Sequence, residues 1–136
     1  MGNGIKKLTL FGLLLLSLAG CKTFEQTLME KGYRELKGEE LKNMISGNTE
    51  ESSTGSFYFH SADGKFSGVS GSNGRQNSGT WKINENGRIC RNWNNPYVPS
   101  GCSTIYYDDK TKDIQWYDTD GLWYGTKFHP GNPKKY

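Results

Sequence analysis

Three cysteines, two histidines and a scatter of aspartates carry most of the reactive chemistry in this 136-residue chain. Cys21 closes the run Leu18-Ala19-Gly20-Cys21, which has the form of a bacterial lipobox. In that motif small residues admit the lipoprotein signal peptidase, and the cysteine thiol is diacylated before cleavage. Lys6 and Lys7 supply a positive start, and the apolar run over 8–18 supplies the hydrophobic stretch of a secretory leader. At about 11 residues that run is too short to cross ~30 Å of hydrocarbon as a helix. Residues 1–20 therefore read as a lipoprotein signal peptide and Cys21 as the lipidation site. Each buried methylene contributes roughly 0.8 kcal/mol, so two or three acyl chains would hold the protein on a membrane permanently. Lys22, not aspartate, follows the cysteine, and by similarity to enterobacterial sorting this favours the outer membrane.

Cys90 and Cys102 remain, and in an exported protein a lone pair of thiols oxidises. Only His60 and His129 could join them as soft metal ligands, and no C-x-x-C is present, so a structural disulfide is expected and no metal or cofactor. On the chain-entropy model a loop of this size stabilises the fold by about 3 kcal/mol. Catalytic groupings are weak. His60, Ser61 and Asp63 are triad residue types, but neighbours within one hairpin are rarely placed to cooperate, and His60 reads as an exposed strand-end residue. The aspartates at 108, 109, 113, 118 and 120 lack the ligand spacing of a calcium loop and suit hairpin turns. The glycine-rich stretch over 68–79 is followed by neither Lys-Ser/Thr nor a helix, so it is no phosphate loop. A non-enzymatic protein is expected.

The aromatics are more informative. Eight Trp and Tyr side chains lie between positions 93 and 124, too many for the inside of one small domain. Alternation sets Trp116 and Tyr124 on one face and Tyr117 and Trp123 on the other, so one of these faces is at least partly exposed. Arg91, Trp93, Tyr97, Tyr107, Tyr117 and Trp123 form the candidate binding surface. Rings flanked by amides and carboxylates suit stacking on sugars, and equally a protein-binding hot spot; a packed aromatic core is the third possibility. All 14 acidic residues but only 15 of the 17 basic ones follow Cys21, leaving the mature chain near +1. That balance points to neither nucleic acid nor electrostatic attachment to anionic lipid.

Composition fixes what can position such residues. Of the 34 hydrophobic residues after position 20, 17 are aromatic and only 14 aliphatic, and Leu122 is the one leucine beyond Leu41. A helical bundle or a polytopic membrane protein cannot be built from that. Residues 21–37 read as the lipidated cysteine and a flexible tether. A short helix is predicted over 39–46, with Leu41, Met44 and Ile45 on one face as a lid or plug for a sheet. From Ser56 the period becomes two, and turns such as Asp63-Gly64, Asn86-Gly87 and Asp120-Gly121 separate about seven short strands. The expected fold is all-β: an antiparallel meander barrel or half-barrel over 38–130, with a sandwich as competitor and 131–136 as a tail.

Ser46-Gly47-Asn48-Thr49, Tyr58-x-x-x-x-Asp63-Gly64-Lys65, Gly79-Thr80-Trp81-x-Ile83, Gly87-Arg88-Ile89-Cys90-x-x-Trp93 and then Cys102 form an ordered series. It resembles a group of uncharacterised secreted and envelope proteins of Gram-negative bacteria classed as a domain of unknown function, over about 36–124. The resemblance implies a small disulfide-bonded β-domain outside the cytoplasm and no particular activity. The lipobox and tether are a departure, since many relatives look simply periplasmic. The expected role is an envelope binding or assembly module with a membrane partner through Cys21 and a protein or glycan partner besides. Two alternatives stand beside it. Known lysozyme-inhibitor lipoproteins are also small disulfide-bonded barrels, which suggests a hydrolase inhibitor inserting 94–101; this is a likeness of architecture only. The other is a carrier of a small ligand.

Overall fold

The computed structural model describes residues 20–136; the leader read over 1–20 lies, apart from Gly20, outside the described residues. Eight strands form a closed antiparallel barrel: β2 (Asn48–Ser52), β3 (Phe57–His60), β4 (Lys65–Val69), β5 (Gln76–Ile83), β6 (Ile89–Trp93), β7 (Gly101–Tyr107), β8 (Ile114–Tyr117) and β9 (Trp123–Pro130). Each pairs with the next, and β9 returns to β2, with Glu50 opposite Phe128. A ninth short strand, β1 (Arg34–Leu36), pairs with the far half of β7, on the edge that β6 leaves open. All seven expected strands are present. The eighth staves of the barrel, β2, was not expected: Thr-Glu-Glu-Ser carries no apolar alternation to announce a strand. Closure leaves the ring without a free edge, which a half-barrel or sandwich would retain.

Alternation sorts the side chains. On β6, Ile89, Arg91 and Trp93 face inward while Cys90 faces outward, bonded to Cys102 directly across on β7. On β3, Tyr58 and His60 are buried inside. His60 is fully buried, correcting the exposed strand-end reading: its parity on a curved strand sends it into the barrel, against Phe66 and Trp81. Two interior glycines let β4 and β5 coil tightly around these rings. A Cβ at Gly79, the glycine of Gly-Thr-Trp, would lie 2.1 Å from the Asn92 carbonyl oxygen and 2.8 Å from the Phe66 ring.

One end of the barrel is closed. Helix α2 (Gly38–Ile45) has Glu39 and Glu40 at its positive end and buries Leu41 and Ile45 completely. Those two join Leu36, Ile89, Ile105, Ile114, Trp81 and Trp116 in one core. The helix is tied to the β5–β6 hairpin by Gly38 N–H donating to the Gly87 carbonyl at 2.8 Å. Gly87 has φ +76°, and a Cβ there would meet that same Gly38 nitrogen at 2.9 Å, so the turn glycine serves the helix as well.

The tether expected over 21–37 is instead mostly structured. Helix α1 (Phe24–Glu30) starts with a full capping box between Thr23 and Gln26. It lies on the outer wall: Leu28 is buried, Glu25 accepts from the Tyr106 hydroxyl, and Tyr33 donates to Asp113. Arg34 bridges Glu40 and Asp109, which fastens β1 to α2 and to the β7–β8 turn. The scattered apolar residues of this segment are the few contacts a short helix needs against a wall already built. Among the described residues no helix is long and apolar enough to cross a membrane.

Candidate functional site

The end opposite α2 is open. Its rim consists of the loops 53–56, 70–75, 94–100 and 118–122, and inside it lies a cavity of about 320 Å³. The walls are the mouth-end residues of the strands: Glu50, Tyr58, Asn77, Arg91, Trp93 and Tyr124, with Ser, Thr and Asp side chains above them. Arg91 sits at the base, 5% exposed. Its guanidinium donates to the Glu50 carboxylate at 3.1 Å and to the Tyr124 hydroxyl at 3.1 Å, and Asp118 stands 3.9 Å away. The planar cation also lies 4.5 Å from the Trp116 ring centroid and 5.2 Å from that of Trp93.

Burial shapes the protonation of this layer. Desolvation raises the Glu50 carboxyl above its ordinary range, with Arg91 pulling the other way. Burial also works against the charge on Arg91, but Glu50, Tyr124 and Asp118 outweigh it and the pKa is raised. Desolvation pushes the Tyr124 hydroxyl upward, so it stays a neutral donor and acceptor. His60 lies just beneath, Nε2 3.7 Å from Glu50, and neither ring nitrogen has a hydrogen-bond partner. Burial and the neighbouring Arg91 charge hold it far below its usual value, hence neutral.

The six residues of the expected binding surface fall in four places. Arg91 and Trp93 are not on an outer surface at all; inward parity on β6 puts them in the cup, where Trp93 packs edge-on against Tyr58 and Phe66. Tyr97 stands alone at the tip of the 94–100 loop, 93% exposed. Tyr117 and Trp123 form an outer pair, centroids 4.6 Å apart, and Phe24 of α1 packs against Trp123 at 4.9 Å. Tyr107 is far from all of these, at the floor end, with Arg34 and Lys112 over its ring. Glu50, Tyr58, Asn77 and Tyr124 belong to the cup without having been singled out.

The other reactive groups have structural partners. Ser61, Asp63 and the Lys65 backbone bind one another in the β3–β4 turn, with His60 pointing away into the barrel. Asp108 accepts from Lys110 N–H and Thr111, and Asp118 from Ser103 and Thr119 N–H. Among the described residues no group of three or more His, Cys, Asp or Glu side chains is placed to hold a metal ion. Cys21 is exposed and unpaired.

Neither a curated protein nor a solved structure matches the chain. A family model does, over residues 13–135, that of the proteins of unknown function DUF995. The ordered glycine, tryptophan and cysteine motifs thus sit on the turns, walls and disulfide of one barrel, and the chain belongs to the DUF995 family.

Proposed function

We propose that this protein is a lipoprotein of the outer membrane, held by acyl chains on Cys21, whose barrel mouth binds a small uncharged polyhydroxylated ligand without transforming it. The observation that carries the reading is the cup itself. Its volume of about 320 Å³ lies at the lower end of the roughly 300–1,000 Å³ common for small-molecule sites. Eight-stranded barrels have room inside for one such molecule. The base offers a guanidinium, a carboxylate and two phenol hydroxyls, and the upper walls offer serines, a threonine and an amide. Those groups match alternating donors and acceptors, as sugar hydroxyls present them, and the Trp93 ring supplies an apolar wall. Glu50, Asp118 and Asp120 outnumber Arg91 as charges, which disfavours an anion.

Neutral mono- and disaccharides at millimolar concentration test this. Binding should raise the melting temperature and shift the Trp93 indole resonance. No shift with any member of the panel would remove the ligand class. A second role, insertion of 94–101 into a wall-degrading hydrolase, draws on the exposure of Tyr97. Failure to inhibit any lysozyme class would exclude it.

A further inference from the structure

The two poles of the barrel differ in what they show to solvent. Among the described residues the exposed large hydrophobics are Phe24, Met29, Tyr97, Tyr117 and Leu122, and all but Met29 lie at the mouth pole. Leu122 is 61% exposed on the 118–122 loop, beside the Tyr117–Trp123–Phe24 cluster on the outer wall. Charge runs the opposite way. In the floor loops 61–64, 84–88 and 108–113, eight of fifteen residues are charged; in the four rim loops, three of twenty-two.

The position of α1 gives this pattern a meaning. Its first residue, Phe24, contacts Trp123 at the mouth end of β9, and its far end leads to Tyr33, bound to Asp113 at the floor. The chain therefore enters at the mouth pole. Cys21 precedes Phe24 by three residues, so its sulfur is tethered within about 10–11 Å of backbone of that cluster. An acylated Cys21 would bring the bilayer to the same pole that exposes the aromatics.

We infer that Phe24, Tyr117, Leu122 and Trp123 dock into the lipid interface, so that the barrel sits mouth-down on the membrane carrying its anchor. This rests on the acylation of Cys21 in the proposed function, and goes beyond it by fixing an orientation. Amphipathic rings favour the headgroup level, where an apolar body and a polar edge are both served. The acyl chains hold the protein at the surface, and the ring cluster determines how it stands. A ligand for the cup would then enter from the headgroup layer.

The test uses the mature acylated protein reconstituted into phosphatidylethanolamine–phosphatidylglycerol vesicles doped with phosphatidylcholine brominated in its acyl chains. Trp123 emission is the difference between the wild type and Trp123→Phe. The bromolipid should remove most of that emission, while the three other tryptophans, which face the interior, keep theirs. Leu122→Asp combined with Phe24→Asp should restore Trp123 emission with the protein still co-sedimenting through its acyl chains. Acyl mass on Cys21 and co-sedimentation without quenching would overturn the docking and leave the anchor standing. Absence of acyl mass on Cys21 would overturn both.

Discussion

The floor and the mouth of this barrel are made from different materials. At the floor, α2 drives Leu41 and Ile45 into Ile89, Ile105 and Ile114, and most of the buried aliphatic side chains of the domain gather there. At the mouth, the same strands end in Glu50, Tyr58, Arg91 and Tyr124 around an open cup. A chain with few aliphatics thus concentrates its buried ones in one half-core and leaves the other half polar and open. Stability and recognition are segregated along the barrel axis, and substitutions at successive levels should separate them.

The sharpest test falls at the boundary between the two halves. Arg91→Ala strands the Glu50 carboxylate in the interior, and removing one partner of a buried pair costs about 3–5 kcal/mol. Urea unfolding should show that loss, whereas Glu50→Leu with Arg91→Met should recover most of it. If the double variant is as unstable as the single one, the pair is part of the framework and the segregation of roles fails. One level down, Leu41→Ala should cost about 3 kcal/mol, since a fully buried leucine loses its transfer energy and leaves a cavity. A cost under about 1 kcal/mol would mean that α2 rests on the floor without sealing it.

Acid probes the same boundary through His60. Its pKa is depressed in the folded state, so the unfolded chain binds the proton more tightly. Its contribution is complete above the ordinary value of 6.5 and is lost as pH falls toward the folded value. Acting through His60 alone, a fall from pH 7 to pH 5 makes unfolding easier, with a slope of at most about 1.4 kcal/mol per pH unit for one group. Glu50 is raised and works in the opposite sense: its contribution is fullest below 4.5 and declines as pH rises through its folded value. His60→Phe should remove the His60 part, so that the variant gains stability relative to the wild type as pH falls from 7 to 5. An unchanged profile would show that the ring is solvated and chargeable.

The seven strands with alternating rings or turn glycines were legible, as were the helix plug and the disulfide pairing. The eighth strand was not, because Glu50 and Ser52 face a polar cavity and give no hydrophobic period. Its existence follows from parity: a meander of seven strands would bring first and last together in parallel, and antiparallel closure needs an even number. Counting strands in that way would have placed a carboxylate opposite Phe128 and made Arg91 an interior cation seeking it. The face of Arg91 and Trp93 was likewise hidden, since Ile-Cys-Arg-Asn-Trp alternates without saying which side closes. Cys90 held the clue, because a disulfide between neighbouring strands of a filled barrel sits outside, and that sends 89, 91 and 93 inward. For α1, Leu28 and Tyr33 were too few to signal docking; only the finished wall supplies Tyr106, Trp123 and Asp113 as partners.

The smallest effect belongs to the rim. Tyr97 is 93% exposed, and its backbone N–H already binds the Asn95 side chain, so the ring contributes nothing visible to the fold. Tyr97→Ser should change unfolding free energy by no more than about 0.5 kcal/mol, as exposed positions usually do. The same variant should weaken whatever the mouth pole contacts, whether a lipid surface read by vesicle partitioning of the unacylated chain or a hydrolase read by inhibition. A stability loss above about 1 kcal/mol would make the 94–100 loop a brace for the barrel, and the rim would then share the structural duty assigned to the floor.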